Sequence, residues 1–202
     1  MTRYQQDIFP TAIGITEMAV DMDRLLDGVE WRPTHSDGSH LAFKAWSSID
    51  LHILNSHPEM KAALEDEATL FAQGAYGAPV ELRITTSWLT RVDPGGSSQI
   101  HCHLNSLFSG VWYPTFSSPI NFVRPASIHG GLWATPHEEH GTPASQTTAS
   151  FTPAPNMLIM FPSALPHQVS VNNDPSPRYS LAFNTFPRGE FGSHDSSLTL
   201  RG

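Results

Sequence analysis

The sequence is poor in features that would commit it to several large classes of protein. It has one cysteine, Cys102, in 202 residues, so an internal disulfide and a CxxC zinc pattern are both excluded. A lone thiol fits a reducing compartment, and a cytoplasmic setting is the expectation. Lysine and arginine number 11 against 19 acids, for a net charge of −8. There is no basic stripe, and the longest charged cluster, Glu65-Asp66-Glu67, is acidic. Such a chain would repel a phosphate backbone, so neither nucleic acid nor a polybasic membrane contact is expected. No apolar run approaches the roughly 18 residues of a membrane helix. The opening Met1-Thr-Arg-Tyr-Gln-Gln-Asp lacks the apolar stretch of a signal peptide. A homodimer stays open.

The place of the missing charge is taken by 17 prolines, 14 glycines and many small polar residues, a texture that favours short strands and turns. The length suits one domain with one sizeable core. Residues 7–20 open as an extended entry or edge strand, since Pro10 and Gly14 break a helix, and residues 15–28 read as a short helix, with Thr16 able to cap it and Gly28 able to end it. A second helical region lies within 48–73, where Met60, Leu64, Ala68 and Phe71 recur at helical spacing after Ser56-His57-Pro58. From Val80 to Val92 the pattern alternates with period two, as a half-buried strand does. Further strands are expected at 99–103, 108–113, 120–123, 156–162, 168–171 and 179–184. Residues 134–155 read as a long loop, which at that length suggests a mobile lid. The expectation is a mainly β fold: a helical region at about 15–73 packed on a double-sheet jelly roll at about 80–186, followed by a polar tail at 190–202.

Histidine is the residue in excess, with 11 copies, and two of them stand one residue apart in His101-Cys102-His103. A strand puts residues i and i+2 on one face, about 6–7 Å apart, from which two neutral imidazoles can converge on a metal. The bland alternative is a pair of polar strand residues facing solvent. Cys102 should then point the other way, as a small buried hydrophobe. His167 follows a buried strand and is fixed by Pro166. Eleven residues on comes Arg178, with Ser180 on its face. If His167 and Arg178 lie on adjacent antiparallel strands, the guanidinium can sit deeper and bind a carboxylate through two parallel bonds. A surface ion pair is the competing reading of Arg178. Asn105, Ser109 and Tyr113 could also face the pocket, though each is more often a core or turn residue. His129, His137 and His140 lie in or beside the long loop. Trp88, Trp112 and Trp133 read as core or pocket wall.

These pieces together resemble the 2-oxoglutarate/Fe(II)-dependent oxygenases, in particular their subgroup of small bacterial and phage-associated members. The matching segments are Ile8-Phe-Pro-Thr11, Ser87-Trp88, His101 to Tyr113, Ile120 to Pro125, Leu158 to Ser163, His167, and Arg178 to Asn184. The resemblance implies a double-stranded β-helix with one ferrous ion at its mouth and 2-oxoglutarate as co-substrate. It carries the metal-ligand positions to His101 and His167, and the co-substrate positions to Arg178 and Ser180, with Tyr113 able to hydrogen-bond the far carboxylate of 2-oxoglutarate. His103 departs from the broad pattern, which has a carboxylate there. Three neutral imidazoles leave the ion's full charge for 2-oxoglutarate to offset. The implied activity is hydroxylation of a small molecule or of a peptide or protein side chain, with release of succinate and CO2. Two rival readings are a three-His cupin-like dioxygenase that ignores 2-oxoglutarate and a non-catalytic jelly-roll binding module.

Overall fold

The computed structural model describes residues 10–34, 43–77, 80–125 and 146–200. Eleven strands are described, in chain order β1 (Gly14–Glu17), β2 (Trp31–Pro33), β3 (Ala45–Ser48), β4 (Glu81–Val92), β5 (Phe108–Tyr113), β6 (Ile120–Val123), β7 (Thr148–Phe151), β8 (Met157–Pro162), β9 (His167–Val169), β10 (Arg178–Phe191) and β11 (Leu198–Leu200). The helices are α1 (Met22–Leu26) and α2 (Pro58–Tyr76). They pack as a jelly roll: a large sheet ordered β1-β8-β5-β10-β4-β3-β2, with β11 on the end of β10, faces a small sheet ordered β7-β6-β9.

Period-two alternation on β10 assigns its two faces. Leu181 and Phe183 join the core beneath α2, together with Leu64, Ala68 and Ala72 of the helix. Arg178, Ser180, Ala182 and Asn184 line the cavity on the other face. β4 starts out of phase and is corrected. Its Leu82 and Ile84 face the helix core, whereas Thr86, Trp88, Thr90 and Val92 face the cavity. The register against β10 shifts at Thr85, because Thr185 pairs with Ile84 while Asn184 pairs with Thr86. The extra residue is a β-bulge, and it turns the second half of the strand toward the site.

Four expectations need adjustment. Residues 15–28 are not one helix: Gly14–Glu17 is an edge strand on β8, and α1 is only five residues long, capped by Asp21 rather than Thr16. Ile15 and Glu17 alternate with Gly14 and Thr16 in exposure, so the edge strand expected within 7–20 is present and the helix starts later than residue 15. The second helical region is a 3-10 turn at Ile53–Ser56 followed by α2, which passes through Gly74 and ends where Gly77 takes φ +63. The supposed loop at 134–155 contains β7, and the tail contains β11, paired with Gly189–Phe191. Residues 126–145, with His129, Trp133, His137 and His140, lie outside the described residues, so the lid reading lies there too. No helix among the described residues is long and apolar enough to cross a membrane.

Candidate metal centre and co-substrate pocket

His167 opens β9, where its neighbour on one side is β6. On the other side runs the segment 98–101. Ser98 N–H donates to Val169 O, and His101 and His167 exchange both backbone hydrogen bonds, at 3.0 and 2.9 Å. His101 is thus paired directly opposite His167. The chain then leaves the ladder. Only His101 forms a bridge in the stretch expected as a strand, and His103 N–H donates instead to Ser163 O at 2.9 Å. Ser163 is fully buried and its hydroxyl meets those of Ser106 and Ser109 at 2.6 and 2.8 Å. This hydroxyl network anchors the peptide that carries His103.

The candidate ligand nitrogens of His101, His103 and His167 all lie within 4.8 Å of one another. That separation lets one ion reach all three after small side-chain rotations, given bonds of about 2.1 Å. Two of the rings are already oriented. His101 Nδ1 lies 2.9 Å from Gln99 O, and His167 Nδ1 lies 2.9 Å from Leu165 O. A carbonyl only accepts, so each Nδ1 carries a proton and each Nε2 is the nitrogen left to face a metal. Burial holds the other protons off as well. It pushes the His103 pKa down to about 4 and the His167 pKa to about 3, with neighbouring imidazoles adding to the effect. Both rings are therefore neutral, the state in which imidazole ligates. Trp88 flanks the cluster, its ring centroid 5.6 Å from that of His103.

The three imidazoles open into a cavity of about 530 Å³ between the sheets. Deep in it lies Arg178, 5% exposed. Its Nε donates to Ser117 Oγ, its Cζ stands 5.1 Å from the centroid of Tyr113, and its Nη1 is buried without a hydrogen-bond partner. Tyr113 Oη is buried and unpartnered too. Burial pulls the Arg178 pKa below its ordinary value, yet a guanidinium stays charged at neutral pH. Two adjacent orphan donors, one cationic, are costly inside a protein unless an anion meets them. They fit a carboxylate, while the three imidazoles fit a ferrous ion. Ser180 is buried beside them and lines the same cavity.

Other expected positions fall elsewhere. His167 and Arg178 are not on adjacent strands: β9 belongs to the small sheet and β10 to the large one, so the two residues face each other across the cavity. Asn105 does not reach the pocket. It is exposed at φ +56 in the turn after His103, a conformation that asparagine tolerates. Ser109 is bound to Asn184 and Ser163 behind the wall. Cys102 is exposed rather than buried, because the segment is an edge whose outer face is solvent. Trp112 is core. Asp93, a carboxylate eight residues before His101, is taken by Arg91 and Trp46 and does not line the cavity, so it does not stand in for His103. The sequence reading missed Ser117, Asn184 and Arg32. Asn184 continues the i, i+2 series from Arg178, a signal that could have found it; Arg32 reaches the site only through non-local strand pairing.

A family model described as "Putative 2OG-Fe(II) oxygenase" matches residues 86–184. None of the curated proteins matches the sequence. Among solved structures, the fold is similar to HygX from Streptomyces hygroscopicus, crystallised with nickel and 2-oxoglutarate (12% identity, 88% of this chain and 83% of that one, TM-score 0.58). It is similar also to a Pseudomonas putida prolyl-4-hydroxylase (14% identity, 86% and 92% covered, TM-score 0.54). A third likeness is a 2OG-Fe(II) oxygenase family oxidoreductase from Burkholderia pseudomallei (16% identity, 81% and 75% covered, TM-score 0.55). The matched segment holds all three clustered histidines and Arg178, and the chain belongs to the 2OG-Fe(II) oxygenases, enzymes that use ferrous iron and 2-oxoglutarate.

Proposed function

We propose that His101, His103 and His167 hold the ferrous ion, that Arg178 with Tyr113 and Ser180 holds 2-oxoglutarate, and that the chain hydroxylates a C–H bond of a small molecule or peptide. The single observation behind this assignment is one cavity with three imidazoles in mutual reach and a buried guanidinium whose Nη1 has no partner. When bound, the iron supplies activation of O2, coupled to oxidative decarboxylation of the co-substrate. Overall, substrate C–H, O2 and 2-oxoglutarate become substrate C–OH, succinate and CO2, with one oxygen atom entering each of the alcohol and succinate.

The chain's own residues do the positioning. Arg178 and Tyr113 offer donors to the distal carboxylate of 2-oxoglutarate, and Ser180 adds a hydroxyl. Ser117 fixes the guanidinium from behind through Nε. The carbonyls of Gln99 and Leu165 hold two imidazoles in the ligating tautomer. Trp88, Val111 and Ile120 give the cavity apolar walls that exclude water from the reacting end.

The test separates metal from co-substrate. Under anaerobic conditions His101→Ala should lose stoichiometric iron. Arg178→Ala should keep iron but lose about 2–5 kcal/mol of 2-oxoglutarate binding, because the co-substrate carboxylate loses its partner in a desolvated site. Equal iron binding by wild type and His101→Ala, or undiminished 2-oxoglutarate binding in Arg178→Ala, refutes the assignment. Succinate release without added substrate distinguishes an oxygenase of this kind from a dioxygenase that ignores 2-oxoglutarate.

A further inference from the structure

A second arginine lines the same cavity. Arg32 sits on β2, the edge strand, and pairs with Ser47 of β3; Ser47 pairs with Thr90 of β4, and Thr90 with Ser180 of β10. Directly paired residues share a face, and all four line the cavity. Arg32 is exposed, so it stands at the rim. Three strand spacings separate it from Ser180, about 14 Å at the usual 4.7–4.9 Å per strand. That backbone span sets Arg32 at the rim, three strands away from the strand that carries the buried Arg178.

The charge of the cavity is one-sided. Among the described residues no aspartate or glutamate lines it, and the Arg32 side chain is in none of the described ion pairs, which belong to Arg83 and Arg91. With three neutral imidazoles, the ion keeps both its charges. The dication and two guanidiniums therefore outweigh the two charges of 2-oxoglutarate. A cation would be repelled from the surplus, whereas an anion would offset it. The cavity wall also includes Leu51 and Trp88, and Trp88 stands against the His103 ring, so an apolar body has a surface beside the histidines to lie on.

We propose that the substrate is a small carboxylic acid, its carboxylate held at the rim by Arg32 and its apolar body laid along Leu51 and Trp88 toward the histidines. This rests on the co-substrate assignment above and adds the substrate class. Arg32 is the residue that selects acids over neutral analogues.

The probes are octanoate and phenylacetate, each beside its own amide, titrated into protein saturated with Ni(II) and 2-oxoglutarate. Binding is read by tryptophan fluorescence and by indole NMR shifts, so no turnover is needed. The acids should bind at least about tenfold tighter than their amides without displacing 2-oxoglutarate, and Arg32→Gln should remove that difference. Arg32→Lys should retain part of it, since it keeps the charge but loses the planar fork. Unchanged 2-oxoglutarate affinity in Arg32→Gln shows that the variant is folded and its co-substrate site intact. Acids that bind no better than amides, acids that do not bind at all, or a preference that survives Arg32→Gln overturns the proposal. If the wild type fails to take up 2-oxoglutarate, the underlying assignment has failed instead.

Discussion

His101 and His167 each give one ring nitrogen to a backbone carbonyl two residues earlier, whereas the His103 ring meets only other rings, those of Trp88, His101 and His167, among the described residues. His103 is therefore the ligand position most open to exchange. His103→Asp should still bind iron, because aspartate is a good ligand for Fe(II), and should hold 2-oxoglutarate more weakly, since one positive charge facing that dianion is cancelled. His103→Ala should lose iron far more severely. Iron stoichiometry after anaerobic reconstitution distinguishes them; equal behaviour of the two variants would make His103 a bystander. The candidate residues were readable because their spacing is local: i, i+2 for the first pair, and a proline-fixed histidine after an apolar strand. Cys102 was misread for a related reason. Alternation says only that it faces away from its neighbours, and whether that side is core or solvent depends on what packs there.

At the scale of elements, α2 and β4 meet through a carboxylate. Glu65, 8% exposed, accepts from Arg83 Nη1 and from the backbone N–H of Ile84, both at 2.9 Å. Ile84 lies beside the bulged residue, so the helix supplies the acceptor where the ladder is irregular. Glu65→Ala should cost about 1–3 kcal/mol in chemical denaturation by leaving that buried donor unmet. Glu65→Gln, which keeps one acceptor, should cost less. A second contact is steric. A Cβ on Gly110 would fall 2.2 Å from Phe183 Cζ and 2.6 Å from Met160 Sδ. Gly110→Ala should therefore destabilise by about 1–3 kcal/mol through overpacking; an unchanged denaturation midpoint would show that Phe183 can move aside. The core strands β5, β8 and β10 were legible from their apolar runs. The bulge in β4, the strand β7 and the pairing of β11 were not, since a phase shift or a polar edge strand is fixed by the partner rather than by its own sequence.

For the molecule as a whole, acidity should act through the clustered imidazoles. In the metal-free protein the pKa values of His103 and His167 lie at about 4 and about 3, below the ordinary 6.5. As pH falls below about 6.5 the unfolded chain takes up protons that these folded groups refuse, so stability declines, and the decline from these two groups ends near pH 3–4. Above about 6.5 both states are neutral there and the contribution is flat. The melting temperature of metal-free wild type should thus fall between pH 6.5 and 4 more steeply than that of a His103→Asn/His167→Asn variant; parallel curves would refute the linkage. Pairing over long stretches of chain has its own result during synthesis. β1 joins the sheet only through β8, Gly14 opposite Met160. At about 5–20 residues per second, the ribosome needs on the order of ten seconds after making the first before it makes the second. For that interval the nascent N-terminal strand has no native partner, and its exposed edge is a stretch that a chaperone, or a neighbouring copy on the same messenger, can reach first.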